Sequence, residues 1–157
     1  LTRGRHIEWT MPNYLALLRQ LPADKVNVIV TGGESDVEMI DAELQAHCHV
    51  MPHVRFSQGQ LSVADLVSLI HHADGLIASS TGPVHLAASA GIPTLGLYAP
   101  IKPFDAARWG PIGPQATTLS QPGPCDGCRD LSPCRCAAAI SVKAVFAQVM
   151  RWVDAVA

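Results

Sequence analysis

Between Gly75 and Tyr98 the sequence reads GLIASSTGPVHLAASAGIPTLGLY, and this stretch limits the fold more than any other part of the chain. Gly75 to Ala78 is a short apolar run that predicts a buried strand. Pro83 fits the first position of a helix, where its missing N–H costs nothing, which makes Gly82 the expected cap. Gly91, with Pro93 just beyond, ends that helix after Ala90. Thr94 to Tyr98 is a second apolar run. Strand, helix and strand in so short a span form a crossover unit, whose two strands lie parallel in one sheet with a right-handed connection.

The same alternation runs through the rest of the chain. Thr10 is placed to cap a helix reaching Leu21, with Tyr14, Leu15, Leu17, Leu18 and Leu21 apolar, Pro12 in the first turn and Pro22 as the stop. Val26 to Val30 is β-branched and runs into Thr31-Gly32-Gly33, which reads as a strand entering a turn. A helix over Asp36 to His47, a strand over Val54 to Phe56 and a helix starting at Ser62, with Val63, Leu66, Val67 and Ile70 on one face, come next. A strand over Ala116 to Leu119 follows a Pro- and Gly-rich stretch. Ser141 caps a last helix carrying Val142, Val145, Phe146, Val149 and Val153. The expected fold is α/β, a Rossmann-like parallel sheet with helices on both faces. With 157 residues, 48% hydrophobic and 15% charged, the chain is expected to form a single domain over residues 1–157. No apolar run approaches the roughly 20 residues of a membrane span. A formal net charge of -2 argues against nucleic acid or an anionic membrane as the main partner. An anionic ligand must therefore be held by local groups.

Open parallel sheets bind ligands outside the carboxyl ends of their strands, and Ser79-Ser80-Thr81-Gly82 lies at such an end. Amides at a helix start, with the positive end of the helix dipole, suit a phosphate, and Gly82 would let it approach the backbone. His85 can add a hydrogen bond or a charge. Ala87, Ala88, Ser89 and Ala90 let the helix lie close to the sheet. The competing reading is a tight turn with a surface histidine. Glu34, Asp36 and Glu38, after the Gly-Gly turn, either accept bonds from ribose hydroxyls or simply place favourable charge at a helix start. Cys125, Cys128, Cys134 and Cys136 have the spacing C-x2-C-x5-C-x-C. The first pair has a zinc-knuckle spacing and the second does not, so reduced structural thiols are expected and zinc is the minor alternative. His47, Cys48, His49 and His53 flank a predicted loop that scatters their side chains. His71-His72-Ala73-Asp74 reads as a helix end.

The stretch Thr81 to Tyr98, Thr-Gly-Pro-Val-His-Leu-Ala-Ala-Ser-Ala-Gly-Ile-Pro-Thr-Leu-Gly-Leu-Tyr, resembles the signature of the glycosyltransferase family 9 heptosyltransferases. Trp9 with Asn13-Tyr14 is similar to the Trp-Pro segment that opens the family's donor domain. Thr31-Gly32-Gly33 resembles its glycine turn, Leu61 to Leu66 its next helix start, and Cys125-Asp126-Gly127-Cys128 a pair found in many members. The resemblance implies the carboxyl-terminal, nucleotide-sugar-binding half of a GT-B enzyme that transfers heptose from ADP-heptose to the lipopolysaccharide inner core. It implies no metal and no cofactor. It also implies a cytoplasmic protein, peripheral at the inner face of the inner membrane. The donor would sit on Ser80, Thr81, Gly82, Pro83, Val84 and His85, with Lys102. Ser80 stands where the family usually has Asp, and Ala99-Pro100-Ile101 where it has Gly-Pro-Thr. Ile7 stands where it often has Lys, a cation that Arg3 or Arg5 would replace. The general base belongs to an amino-terminal acceptor domain absent from this sequence, so no catalytic residue is expected here. Two alternatives share the fold: a non-catalytic nucleotide- or phosphate-binding module, and a family member using another nucleotide sugar. By the same resemblance Leu1 falls just after the donor domain's opening strand. That strand is central in the order 3-2-1-4-5-6, so the strands at Val26–Val30 and Gly75–Ala78 are expected to flank a strand this chain lacks. Upstream residues, a neighbouring molecule or direct pairing would then close the gap.

Overall fold

The computed structural model describes residues 8–37, 51–123, 125 and 135–156. In it α1 (Met11–Gln20) follows Thr10, with Pro12 in its first turn. Lys25 and Val26 both donate to the Pro22 carbonyl, so the turn that ends α1 still holds Val26. Strand β1 therefore begins two residues later than the sequence predicts, at Val28–Val30. β1 pairs in parallel with β2 (Val54–Phe56), Val28 opposite Val54.

Helix α2 (Val63–His71) is capped by Ser62, whose hydroxyl accepts the Asp65 N–H while the Asp65 carboxylate accepts the Ser62 N–H and O–H. Val63 is 77% exposed: it stands at the projecting helix start and does not join Leu66, Val67 and Ile70 on the packed face. β3 (Leu76–Ser79), β4 (Thr94–Tyr98) and β5 (Ala116–Ser120) form a three-stranded parallel sheet with β4 in the middle. Gly75 stands just ahead of β3 under the Trp152 ring, where a Cβ would lie 2.7 Å from it.

Between β3 and β4 runs α3 (Gly82–Ser89), followed by Gly91 at φ +79°, the left-handed conformation that glycine adopts without strain. Two short helices are not visible in the hydrophobic pattern: α4 (Ala106–Trp109), capped by Asp105, and α5 (Arg135–Ala138). Both are too short for a helical period to register. The long α6 (Val142–Val156) closes the described chain. Of the helix predicted over Asp36–His47, residues 38–47 lie outside the described residues, and Glu34–Asp36 form a 3-10 turn.

The main core gathers Leu15, Leu17 and Leu18 of α1, Leu95 and Leu97 of β4, and Val145 and Val149 of α6. Helices α2 and α3 pack on each other, and α3 packs on β3 and β4; its buried residues Val84, Ala87 and Ala88 stand apart from that core cluster. Helices thus flank parallel sheets, as the alternation requires. Trp9 pins the amino-terminal end of this arrangement. It is 1% exposed, its indole Nε1 donates to the Ile140 carbonyl at 2.9 Å, and its ring meets Tyr14 edge-on at 4.8 Å. Asn13 adds a bond from Nδ2 to the Ala138 carbonyl at 2.7 Å. The start of α1 is thereby tied to the residues leading into α6.

Candidate functional site

Adjacent parallel strands end together, so the register Ser79 opposite Leu97 brings the turns after β3 and β4 to one edge of the sheet. The two serines that leave β3 divide their roles. Ser79 is buried; its Oγ accepts the Trp9 backbone N–H at 3.0 Å and lies 3.4 Å from the Tyr14 hydroxyl. Ser80 is exposed and hydrogen-bonds the Tyr98 phenol, whose own O–H donates to the Trp109 carbonyl at 2.5 Å. The Tyr98 ring lies back over Gly96, two residues earlier on the same face and without a side chain; a Cβ there would sit 2.5 Å from the ring.

Beyond Ser80 the chain is extended at Thr81 (φ −138°, ψ 163°) and enters α3. Thr81, not Gly82, is therefore the N-cap, and Gly82 is the first helical residue. The shift arises because Pro83 is accepted at the second helical position as well as the first. No side-chain oxygen caps the helix, and the Val84 N–H turns back to the Thr81 carbonyl at 3.2 Å. Val84 is fully buried and anchors the first turn, while Gly82 and His85 face outward. A Cβ built on Gly82 would meet nothing within 4 Å. The protein's own packing thus does not require glycine there; open space lies over the helix start. Thr81, Gly82 and His85 belong to this helix start, with Gly82 and His85 exposed. Exposed Lys102 follows β4 on the neighbouring turn.

The acidic residues behave differently. Glu34 is exposed at the end of β1. Asp36 is 3% exposed, its Oδ2 accepts the Gly33 N–H at 2.9 Å, and its Oδ1 is buried without a hydrogen-bond partner. Its carboxylate braces the Gly-Gly turn. Arg5 and Glu38 lie outside the described residues, as do Arg3, Cys128 and Cys134. Cys125 and Cys136 are half-buried and pack against Ala99, Ile101 and Ala137, and no cluster of three metal-ligating side chains exists among the described residues. His53 donates from Nε2 to the Leu18 carbonyl, 3.2 Å away, inside the fold, and His72 from Nδ1 to the Ser68 carbonyl at its helix end. His47, Cys48 and His49 lie outside the described residues. Sequence reasoning missed the bonds that Ser79 and Tyr98 make, because they join residues distant in the chain.

Burial raises the Tyr14 phenol above its usual value; bonds to Ser79 oppose the shift and the charge of Glu8 adds to it. A folded pKa above the unfolded one means the unfolded chain gives up this proton first as pH rises past about 10. The contribution is present below that pH and is lost above it. Tyr14→Phe is expected to flatten the alkaline limb of the stability curve, read by urea unfolding at pH 9 and pH 11; parallel curves for both proteins would contradict it.

A parallel α/β domain with an open helix start at the carboxyl edge of its sheet belongs to the doubly wound class, which places its ligands at that edge. The model of glycosyltransferase family 9 (heptosyltransferase) matches residues 2–136, and the chain belongs to that family. It is 28% identical over 103 residues to the lipopolysaccharide core heptosyltransferase OpsX of Haemophilus influenzae, an alignment covering 65% of this chain and 29% of that protein. Two solved structures share the fold at 19% identity. One is the E. coli ADP-heptose lps heptosyltransferase II (TM-score 0.77, 97% of this chain and 44% of that one). The other is a glycosyl transferase family 9 protein from Veillonella parvula (TM-score 0.76, 99% and 44%). The chain thus spans about three tenths of the curated relative and under half of each solved chain. Among the described residues no helix is long and apolar enough to cross a membrane.

Proposed function

We propose that this chain is the donor-binding, carboxyl-terminal half of a heptosyltransferase, which holds ADP-heptose while a hydroxyl of the lipopolysaccharide inner core attacks its anomeric carbon. The observation that carries this reading is the open space over Gly82, at a helix start on the carboxyl edge of the sheet, in a chain that belongs to glycosyltransferase family 9. In the reaction a carbon–oxygen bond forms to the acceptor, the bond to the diphosphate breaks, and ADP leaves with an additional negative charge. Catalysis then rests on donors already aimed at that charge. The Gly82 amide and the positive end of α3 supply them, with the Thr81 hydroxyl, the His85 ring and Lys102 alongside. Ser80 supplies no charge where the family has a carboxylate; its bond to Tyr98 fixes the turn instead. Glu34 is the acidic residue placed to meet ribose hydroxyls. The base that accepts the hydroxyl proton belongs to the acceptor domain. The protein would work in the cytoplasm at the inner face of the inner membrane, where the growing core is displayed.

Calorimetry with ADP and UDP tests the reading. ADP is expected to bind more tightly than UDP, and His85→Ala to weaken ADP by about 1–3 kcal/mol, the loss of a charge-assisted bond. Gly82→Ala should fold normally, since its Cβ meets nothing, yet bind ADP less well. Equal ADP affinity in all three proteins would remove this turn from the donor site. A preference for UDP would point to a different nucleotide sugar.

A further inference from the structure

Two of the large hydrophobic side chains that stand exposed among the described residues, Trp109 (46%) and Ile112 (92%), lie in the segment that leads from α4 to β5. A single exposed hydrophobe is ordinary. What sets this pair apart is how firmly the chain around it is held. The Trp109 carbonyl accepts the Tyr98 O–H at 2.5 Å. Pro111 rests over Gly96, its Cδ 3.3 Å from where a Cβ would stand, and Gly113 lies so close to the Ala88 carbonyl that no side chain fits between them. The Gln115 side chain donates from Nε2 to the Gly91 carbonyl at 2.8 Å. Every second residue from Trp109 to Gln115 is thus fastened to β4, to α3 or to the turn after it. Ile112, between two of these anchors, is held out in water. A loop already fixed in this way loses little freedom when it meets a partner.

Charge and area decide which partner fits. The chain as a whole has a net charge of -2, yet between Gly75 and Pro124 Asp105 is the only carboxylate, against the two cations Lys102 and Arg108. Asp105 turns Oδ1 back to the Arg108 N–H at 3.2 Å, at the start of α4. The Arg108 side chain is exposed, with its guanidinium 5.9 Å from the centre of the Trp109 ring. It carries the only charge from Ala106 to Gln115. The surface therefore has an apolar tip and one cation at its base. Trp109 and Ile112 together expose on the order of 300 Å², far short of the roughly 800 Å² that each side contributes to a stable protein interface. A second copy of this chain, or another folded protein, gains too little from so small a patch. A bilayer surface sets no such requirement. An aliphatic side chain enters the acyl region, an indole settles at the level of the head groups, and an arginine reaches the lipid phosphates.

We infer that the loop from Arg108 to Gly113 docks on an anionic bilayer surface, with Ile112 among the acyl chains, Trp109 at the head groups and Arg108 on lipid phosphate. One short apolar tip with one cation gives weak, reversible attachment. The inference names the element that makes the membrane contact, and it uses none of the residues assigned to the donor.

Vesicle binding by the 157-residue chain tests it. Vesicles of phosphatidylethanolamine and phosphatidylglycerol at about millimolar lipid should sediment the protein and shift Trp109 emission to the blue. Brominated acyl chains should quench that emission, and Trp109→Phe should abolish both signals. Ile112→Glu is expected to weaken binding at least tenfold with Tm unchanged, because the side chain it replaces faces water. Arg108→Gln should weaken binding about fivefold on the same vesicles, and the unaltered chain should bind pure phosphatidylcholine more weakly by a similar factor. No sedimentation of the unaltered chain, or equal sedimentation of Ile112→Glu, would overturn the inference. So would a dimer in sedimentation velocity that Ile112→Glu dissolves, since the loop would then join two copies. ADP titration on the same samples keeps this inference apart from the donor site. Normal ADP affinity with no vesicle binding sinks the membrane contact alone, and vesicle binding without ADP binding sinks the donor reading alone.

Discussion

Trp9→Ala is expected to lower the unfolding free energy by about 3–5 kcal/mol, a large part of what a domain of this size has. Trp9 is 1% exposed and sits in the main core, so truncation leaves a cavity where its indole packs. It also strands the Ile140 carbonyl, which accepts the indole N–H at 2.9 Å, and removes the edge-on contact with Tyr14. Trp9→Phe separates these effects. It keeps most of the apolar volume and loses the N–H, so it should cost about 1–3 kcal/mol, the penalty of an unpaired buried acceptor with a smaller packing loss. Urea unfolding monitored by circular dichroism measures both. A change below about 1 kcal/mol in Trp9→Ala would show that Trp9 is not a core anchor. The consequence reaches the candidate site, since the Trp9 backbone N–H also bonds Ser79 Oγ, just ahead of the turn into α3.

The parts of this structure that can be read from the sequence are those where one local rule dominates. Pro83 and Gly91 bracket α3, and the apolar run Thr94–Tyr98 becomes the fully buried middle strand. Ser62 and Asp65 form their capping pair. What the sequence hides depends on distant partners. Asp36 reads as a ribose ligand or as helix-start charge, and its environment turns it inward to brace the Gly33 amide. The Ser79–Trp9 and Ser80–Tyr98 bonds join residues with no local relation, so no spacing rule reveals them. Gly82 is an informative case: its role as cap passes to Thr81, and a side chain at Gly82 would meet nothing in the fold. That β1 pairs with β2 and β3 with β4 among the described strands needed the register on each side.

Placing one carboxylate at two adjacent positions should separate fold from site. Val84 is fully buried in the first turn of α3, whereas His85 beside it is exposed. A carboxylate in either place gains from the helix dipole, about 0.3–1 kcal/mol at the surface and up to about 2 when partly buried. At position 84 that gain meets the cost of taking a charge out of water with no partner, several kcal/mol even after relaxation. Burial wins, and Val84→Asp is expected to lose more than about 4 kcal/mol and to leave little folded protein at 37 °C. At position 85 the carboxylate stays solvated, so His85→Asp should keep stability within about 1 kcal/mol of the original or raise it slightly. Its charge then faces the space where the diphosphate would lie. Repulsion between like charges a few ångströms apart at the protein surface is worth several kcal/mol before salt screening, so ADP affinity should drop at least about tenfold. Thermal melting and ADP titration on the two variants measure both quantities. Normal folding of Val84→Asp would mean that the first turn of α3 is open to solvent on its inner side. Undiminished ADP binding by His85→Asp would place the phosphates elsewhere on the sheet edge.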